Sequence, residues 1–161
     1  MNEPSLPSPA RILVVGTGHP RQGDDGLGWH AARMLARSFP EDVVHLLVDD
    51  RLRPELAQEL VGCSLVVFVR ARKGKRPGTI RCERVEAGEG PSPADAGDLS
   101  PSQILLLARE TFRAEPEAWS VTVAGVLWGQ GEELSPIVRV ALPELQARVG
   151  ALVAGRRDVP A

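Results

Sequence analysis

An α/β domain with a largely parallel central sheet, layered α/β/α, is the fold this sequence predicts, and three observations carry it. Short apolar, β-branched runs read as strands: Arg11–Val15 buried on both faces, Val43–Val48 a second strand and Leu65–Val69 a third, buried one. Segments of helical spacing alternate with them, the pattern of strand–helix–strand units. Two Ser-Pro pairs, Ser100-Pro101 and Ser135-Pro136, combine an N-cap residue with a first-turn proline and so mark helix starts. The chain has 161 residues, the size of one domain, with 43% hydrophobic and 25% charged residues and a net charge of −2. No internal repeat is present.

Taken in order, residues 1–10 are polar and Pro-rich, without the apolar core of a signal peptide, and are expected to be a flexible lead. The single domain is expected over residues 11–155, with a tail at 156–161. After the first strand comes the loop Gly16–Gly26, then a helix Leu27–Phe39 stopped by Pro40. Val43–Val48 is the second strand and Pro54–Val61 a short helix. Leu65–Val69 is the third strand, and Thr79–Val85 alternates as an edge strand does, added antiparallel. Ala87–Asp98 is a Gly/Pro/Ser/Asp loop. A helix over Ser102–Phe112, a strand over Trp119–Leu127 and a final helix from Ser135-Pro136 to about Ala154 complete the chain.

The composition excludes several classes of function. A net charge of −2, no Tyr, and only three Phe and three Trp argue against a nucleic-acid platform. No apolar run reaches the length of a membrane helix. Cys63 and Cys82 are too few for a disulfide scaffold and read as inert thiols. The expected setting is the cytoplasm.

Sites in such sheets lie beyond the C-terminal ends of the strands, so the loop after the first strand is where chemistry is expected. It carries Gly16, Gly18, His19 and the adjacent acids Asp24 and Asp25. One acid suits a helix N-cap. A second acid in the same glycine-rich turn suggests a cation site. Phosphate readings fail: Arg21 stands where a dinucleotide fingerprint needs its third glycine, and no Gly-Lys-Ser/Thr ends the loop. His19 is near enough in sequence to join Asp25 at a metal, whereas His30 and His45 read as structural or surface residues. Ser100 and Ser102 read as helix-start residues rather than nucleophiles, with no histidine close in sequence to serve as base.

Four ordered blocks resemble the hydrogenase maturation proteases. Gly16-Thr-Gly-His-Pro-Arg-Gln-Gly-Asp-Asp-Gly-Leu-Gly28 is similar to the family's G-x-G-N-x-x-x-x-D-[DE]-G-x-G. Leu65–Ala71 followed by Pro77-Gly78-Thr79 resembles its strand ending in V-D-A and its P-G-T. Asp98–Ser102 resembles its S-x-H helix start, and Gly131–Pro143 its G-x-x-L-S-P-x-V-x-x-A-[VL]-P. The resemblance implies an endopeptidase that trims the C-terminus of a nickel–iron hydrogenase large-subunit precursor after recognising the substrate's nickel, with no tightly held cofactor of its own. It also implies three metal ligands. The first falls on Asp25, but the second falls on Arg70 and the third on Ser102. Arginine has no lone pair to offer a metal. Arg70 is therefore expected to pair with Asp25 or Asp24 and hold the site together without nickel.

On that resemblance Asp25 is the catalytic and metal-contacting residue, with Gly16, Gly18, His19, Asp24, Arg70 and Ser102 lining the substrate. The basic run Arg70–Arg76 beside them suits an acidic tail or partner subunit. A maturation-type endopeptidase and a non-catalytic, chaperone-like relative that docks the large subunit without cutting it both fit. A small-molecule binder on a similar sheet is a third reading.

Overall fold

In a computed structural model, which describes residues 11–88 and 99–157, the chain forms five strands and four helices around one sheet. The strands are β1 (Arg11–Thr17), β2 (Val44–Asp49), β3 (Cys63–Lys73), β4 (Ile80–Arg84) and β5 (Glu117–Gly125). The helices are α1 (Leu27–Ala36), α2 (Leu56–Glu59), α3 (Pro101–Phe112) and α4 (Pro136–Arg157). The strand order is β2-β1-β3-β5-β4; all pairs are parallel except β4 with β5. The expected α/β fold with one antiparallel strand is what forms. The lead at residues 1–10, most of the Ala87–Asp98 loop, Asp98 of the third block and residues 158–161 of the expected tail lie outside the described residues.

Two-sided burial explains the unbroken apolar runs. In β1, Ile12 and Val14 enter one core and Leu13 and Val15 the other. In β3, Leu65, Val67 and Val69 face the first core while Val66 and Phe68 face the second. Helices α1 and α4 cover the first face through Leu27, Ala31, Leu35, Val138, Leu145 and Val149. Helices α2 and α3 cover the second through Ala57, Leu60, Ile104, Leu105 and Ala108. Each fully buried aliphatic side chain is worth about 1.5–3 kcal/mol, so the two central strands anchor the domain.

Several boundaries differ from the sequence reading. Strand β3 runs to Lys73, past Val69, because β5 pairs with it up to Lys73 opposite Gly125. Helix α1 stops at Ala36, short of Pro40, through amides of Arg37 and Ser38 that bond back to Met34 and Leu35. Helix α4 continues to Arg157, past Ala154 and into the segment assigned to the tail. The Ser100 cap is as expected: its hydroxyl accepts from the Gln103 amide at 3.2 Å, and the Gln103 side chain accepts from the Ser100 amide at 2.8 Å.

The order β2-β1-β3 places the site. From β1 the chain steps to one side for β2, then returns to the other side for β3. That reversal opens a crevice beyond the C-terminal ends of β1 and β3, where open α/β sheets bind their ligands.

Candidate functional site

The glycine-rich turn fills this crevice, and close packing accounts for its glycines. A Cβ on Gly16 would stand 2.2 Å from the Gly28 carbonyl oxygen, so the end of β1 and the start of α1 touch backbone to backbone. Gly18 has φ +134, and a Cβ there would meet the Asp25 carbonyl oxygen at 1.8 Å. The turn is tied down on both sides. The Gly18 amide donates to the Asp49 carbonyl at 3.2 Å, and the Trp29 indole N–H donates to the Gly18 carbonyl at 2.7 Å. Trp29 was not among the sequence candidates; nothing in its helical spacing distinguishes it from a core aromatic.

The two adjacent acids have separate environments. Asp24 is fully buried. Its Oδ2 accepts from the Val126 amide at 2.8 Å, the Leu127 amide at 2.9 Å and the Ser135 hydroxyl at 2.9 Å, and its Oδ1 accepts from the Ser135 amide at 2.7 Å. In return the Leu127 carbonyl accepts from the Asp24 amide at 2.7 Å. Burial by itself pushes the Asp24 carboxyl up; the bonds from Leu127, Val126 and Ser135 outweigh it and hold the pKa below that of an ordinary aspartate. Asp24 is therefore a buried anion sealed by the loop between β5 and α4. It holds the site from beneath and does not cap the 3-10 turn Gly23–Gly26, whose start has no side-chain cap.

Asp25 is half-buried at the rim. Its Oδ2 accepts from the His19 backbone amide at 2.9 Å, and no described residue donates to its Oδ1. The His19 ring is engaged elsewhere: its Nδ1 accepts from the Arg21 amide at 3.3 Å. His19 is exposed and lines a cavity of about 460 Å³ with Arg21, Gln22, Gln130, Gly131 and Glu132. The link between His19 and Asp25 thus runs through the backbone and not the imidazole.

Arg70 does not form the expected pair. It follows Val69 of β3, which pairs with Gly16 of β1, so it stands at that end of the sheet, but it is exposed and makes no ion pair with a described carboxylate. The cause is twofold. Asp24 has its oxygens filled by the 126–135 loop. Strand alternation turns Arg70 toward the α2/α3 face, since its neighbours Val69 and Ala71 pack on the opposite one. The next arginine, Arg72, donates instead to the Thr122 carbonyl and hydroxyl, both at 3.0 Å. Ser102 lies half-buried in the first turn of α3; its carbonyl accepts from the Gly88 amide at 3.2 Å. Leu99, just ahead of α3, bonds to Leu52 beyond β2, which brings that helix start to the same end of the sheet. Among the described residues no group of three or more His, Cys, Asp or Glu stands together as a metal site.

Solved structures share this fold. The hydrogenase maturating endopeptidase HybD from E. coli superposes with a TM-score of 0.73 at 22% identity, covering 90% of this chain and 93% of HybD. The [NiFe] hydrogenase maturation protease HycI from Thermococcus kodakarensis gives 0.73 at 20% identity, covering 90% and 93%. The solution structure of an endopeptidase from Escherichia coli gives 0.70 at 21% identity, covering 92% and 94%. The chain thus has the fold of the hydrogenase maturation proteases, as the four sequence blocks imply. No protein-family model and no curated protein matches the sequence.

Proposed function

We propose that this chain is a hydrogenase maturation protease-like protein that engages the C-terminus of a nickel–iron hydrogenase large-subunit precursor. The observation that carries the reading is the Gly16–Gly28 block at the β1/β3 switch point of a sheet with this fold, with half-buried Asp25 held by the His19 amide through one oxygen. In this reading Asp25 contacts the nickel of the substrate. Gly16 and Gly18 let the turn close, His19 fixes Asp25 through its amide, Asp24 holds the turn from beneath, and Arg70 and Ser102 face the bound chain. Nickel enters with the substrate. The work would take place in the cytoplasm; no described helix is long and apolar enough to cross a membrane.

A second reading is favoured by one feature. Arg70 and Ser102 occupy two of the three ligand positions that the resemblance implies, and arginine cannot coordinate a cation. The chain would then clasp the large subunit without cutting it. One experiment separates the readings: incubation with nickel-loaded precursor, followed by intact-mass spectrometry and size-exclusion chromatography. Trimming that disappears in Asp25→Ala supports the enzyme. A stable complex without trimming supports the binder. Neither trimming nor association overturns both.

A further inference from the structure

Strand β3 outruns β1. The register of β1 on β3 ends at Gly16 opposite Val69, whereas β3 continues through Arg70–Lys73 and is paired over those residues only by β5. On the β1 side, no described residue pairs with the Arg70–Lys73 backbone. Alternate residues of this overhang therefore have backbone N–H and C=O groups with no described strand partner on that side, beyond the last β1 pair and next to the Gly23–Gly26 turn, which packs on β3.

The two faces of the overhang differ in chemistry. Arg70 and Arg72 project toward the α2/α3 face. On the other face runs the Val126–Trp128 loop, which leaves β5 beside Lys73, bonds to Asp24, and leads to α4. Lys73 lies over the Trp128 ring at 6.0 Å. Val126 and Leu127 are 54% and 49% exposed, unusual for such side chains beside a crevice.

We propose that this overhang receives an extended segment of a partner polypeptide as an added strand, with acidic side chains on the Arg70 face and aliphatic side chains against Val126 and Leu127. Strand addition supplies affinity through main-chain hydrogen bonds and specificity through alternate side chains. Arg70 and Arg72 thus stand on one face of the overhang, while on the other Lys73 lies over Trp128 beside the exposed aliphatic side chains of Val126 and Leu127 in the following loop. An open strand edge is satisfied by a polypeptide and not by a lipid. Exposed Glu132 and Glu133 in the same loop would repel an anionic membrane. The inference stands on register and charge, and it holds whether or not the chain cuts what it binds.

The test uses the full chain and acetylated octapeptides, with binding read by fluorescence anisotropy and mapped by amide NMR. A peptide alternating Glu and Val should bind, shift the amides of Arg70–Lys73 and slow their hydrogen exchange. A peptide alternating Lys and Val should bind about tenfold or more weakly, and Arg70→Glu should invert that preference. N-methylation of alternate peptide amides, which removes strand pairing and leaves the protein untouched, should weaken the Glu/Val peptide about tenfold or more. Equal affinity for the two charge patterns, indifference to N-methylation, or shifts confined elsewhere would overturn the proposal. So would binding to phosphatidylserine-containing vesicles by a chain that ignores the Glu/Val peptide.

Discussion

Asp24→Asn changes one functional atom and almost no volume, so it isolates the role of the buried carboxylate. An asparagine oxygen at the Oδ2 position keeps the Val126 and Leu127 amides. Its NH₂ group then meets the Ser135 amide, donor against donor, where Oδ1 now accepts at 2.7 Å. Losing that bond and stranding a buried donor costs about 1.5–3 kcal/mol. The bonds that remain become neutral, roughly half as strong, which adds about 1–2 kcal/mol. A total loss of about 2.5–5 kcal/mol lowers Tm by about 5–20 °C in a domain of this size. Asp25→Asn, which keeps an acceptor for the single His19 amide, should stay within about 0.5 kcal/mol of the parent. The pH dependence has a definite sign. The folded carboxyl titrates below its unfolded value of 3.8, so its contribution is complete above that value and is lost as pH falls through the folded pKa. The stability gap between parent and Asp24→Asn should therefore narrow as pH is lowered from neutral toward about pH 2.5. Thermal melts and urea unfolding, both followed by circular dichroism across this pH range, measure the Tm shift and the stability gap. A variant melting within about 2 °C of the parent, or a gap that ignores acid, would refute the assignment of Asp24 as the tie between the two loops.

Other expectations follow from the same geometry. Gly16→Ala forces a Cβ onto the Gly28 carbonyl oxygen, backbone that cannot rotate away, and should cost more than about 3 kcal/mol or abolish soluble expression. Gly155→Ala, in open space on α4, should instead gain about 0.5 kcal/mol by chemical denaturation. Ser100→Ala removes the hydroxyl half of the capping box, leaves the Gln103 side chain on the backbone amide of residue 100, and should lose about 1 kcal/mol, with faster amide exchange in the first turn of α3. The double variant Arg70→Asp, Ser102→His should acquire stoichiometric nickel binding in calorimetry that the parent lacks; no gain would mean that these positions do not correspond to the ligand set.

How far each feature could be read from the sequence tracks the range of the interaction behind it. The β1 and β3 runs, the Ser100 cap and the glycine-rich turn after β1 are readable because each rests on neighbours in the chain: periodicity, a cap three residues from its partner, a strand followed by closely spaced glycines. Which of the two acids faces outward is not readable. Asp24 and Asp25 are the same residue type side by side, and their roles are divided by partners 102 to 111 positions away. Ser135 was visible as a helix-start residue, but its second task, donating to Asp24, left no local trace.

The Arg70 pairing failed for a related reason. Sequence placed a cation near two acids at the end of the sheet, and opposite charges at one end of a sheet invite an ion pair. Strand alternation and a competing set of amides decided otherwise. The sequence by itself determined the α/β class, the order of elements and the glycine-rich turn after β1, because alternation, capping and turn chemistry act over a few residues. Tertiary structure alone decided that β3 outruns β1, that one aspartate is sealed and its neighbour half-buried, and that Arg70 is left without a partner among the described residues. Those outcomes depend on which strands end beside one another and which distant donors reach a buried oxygen first.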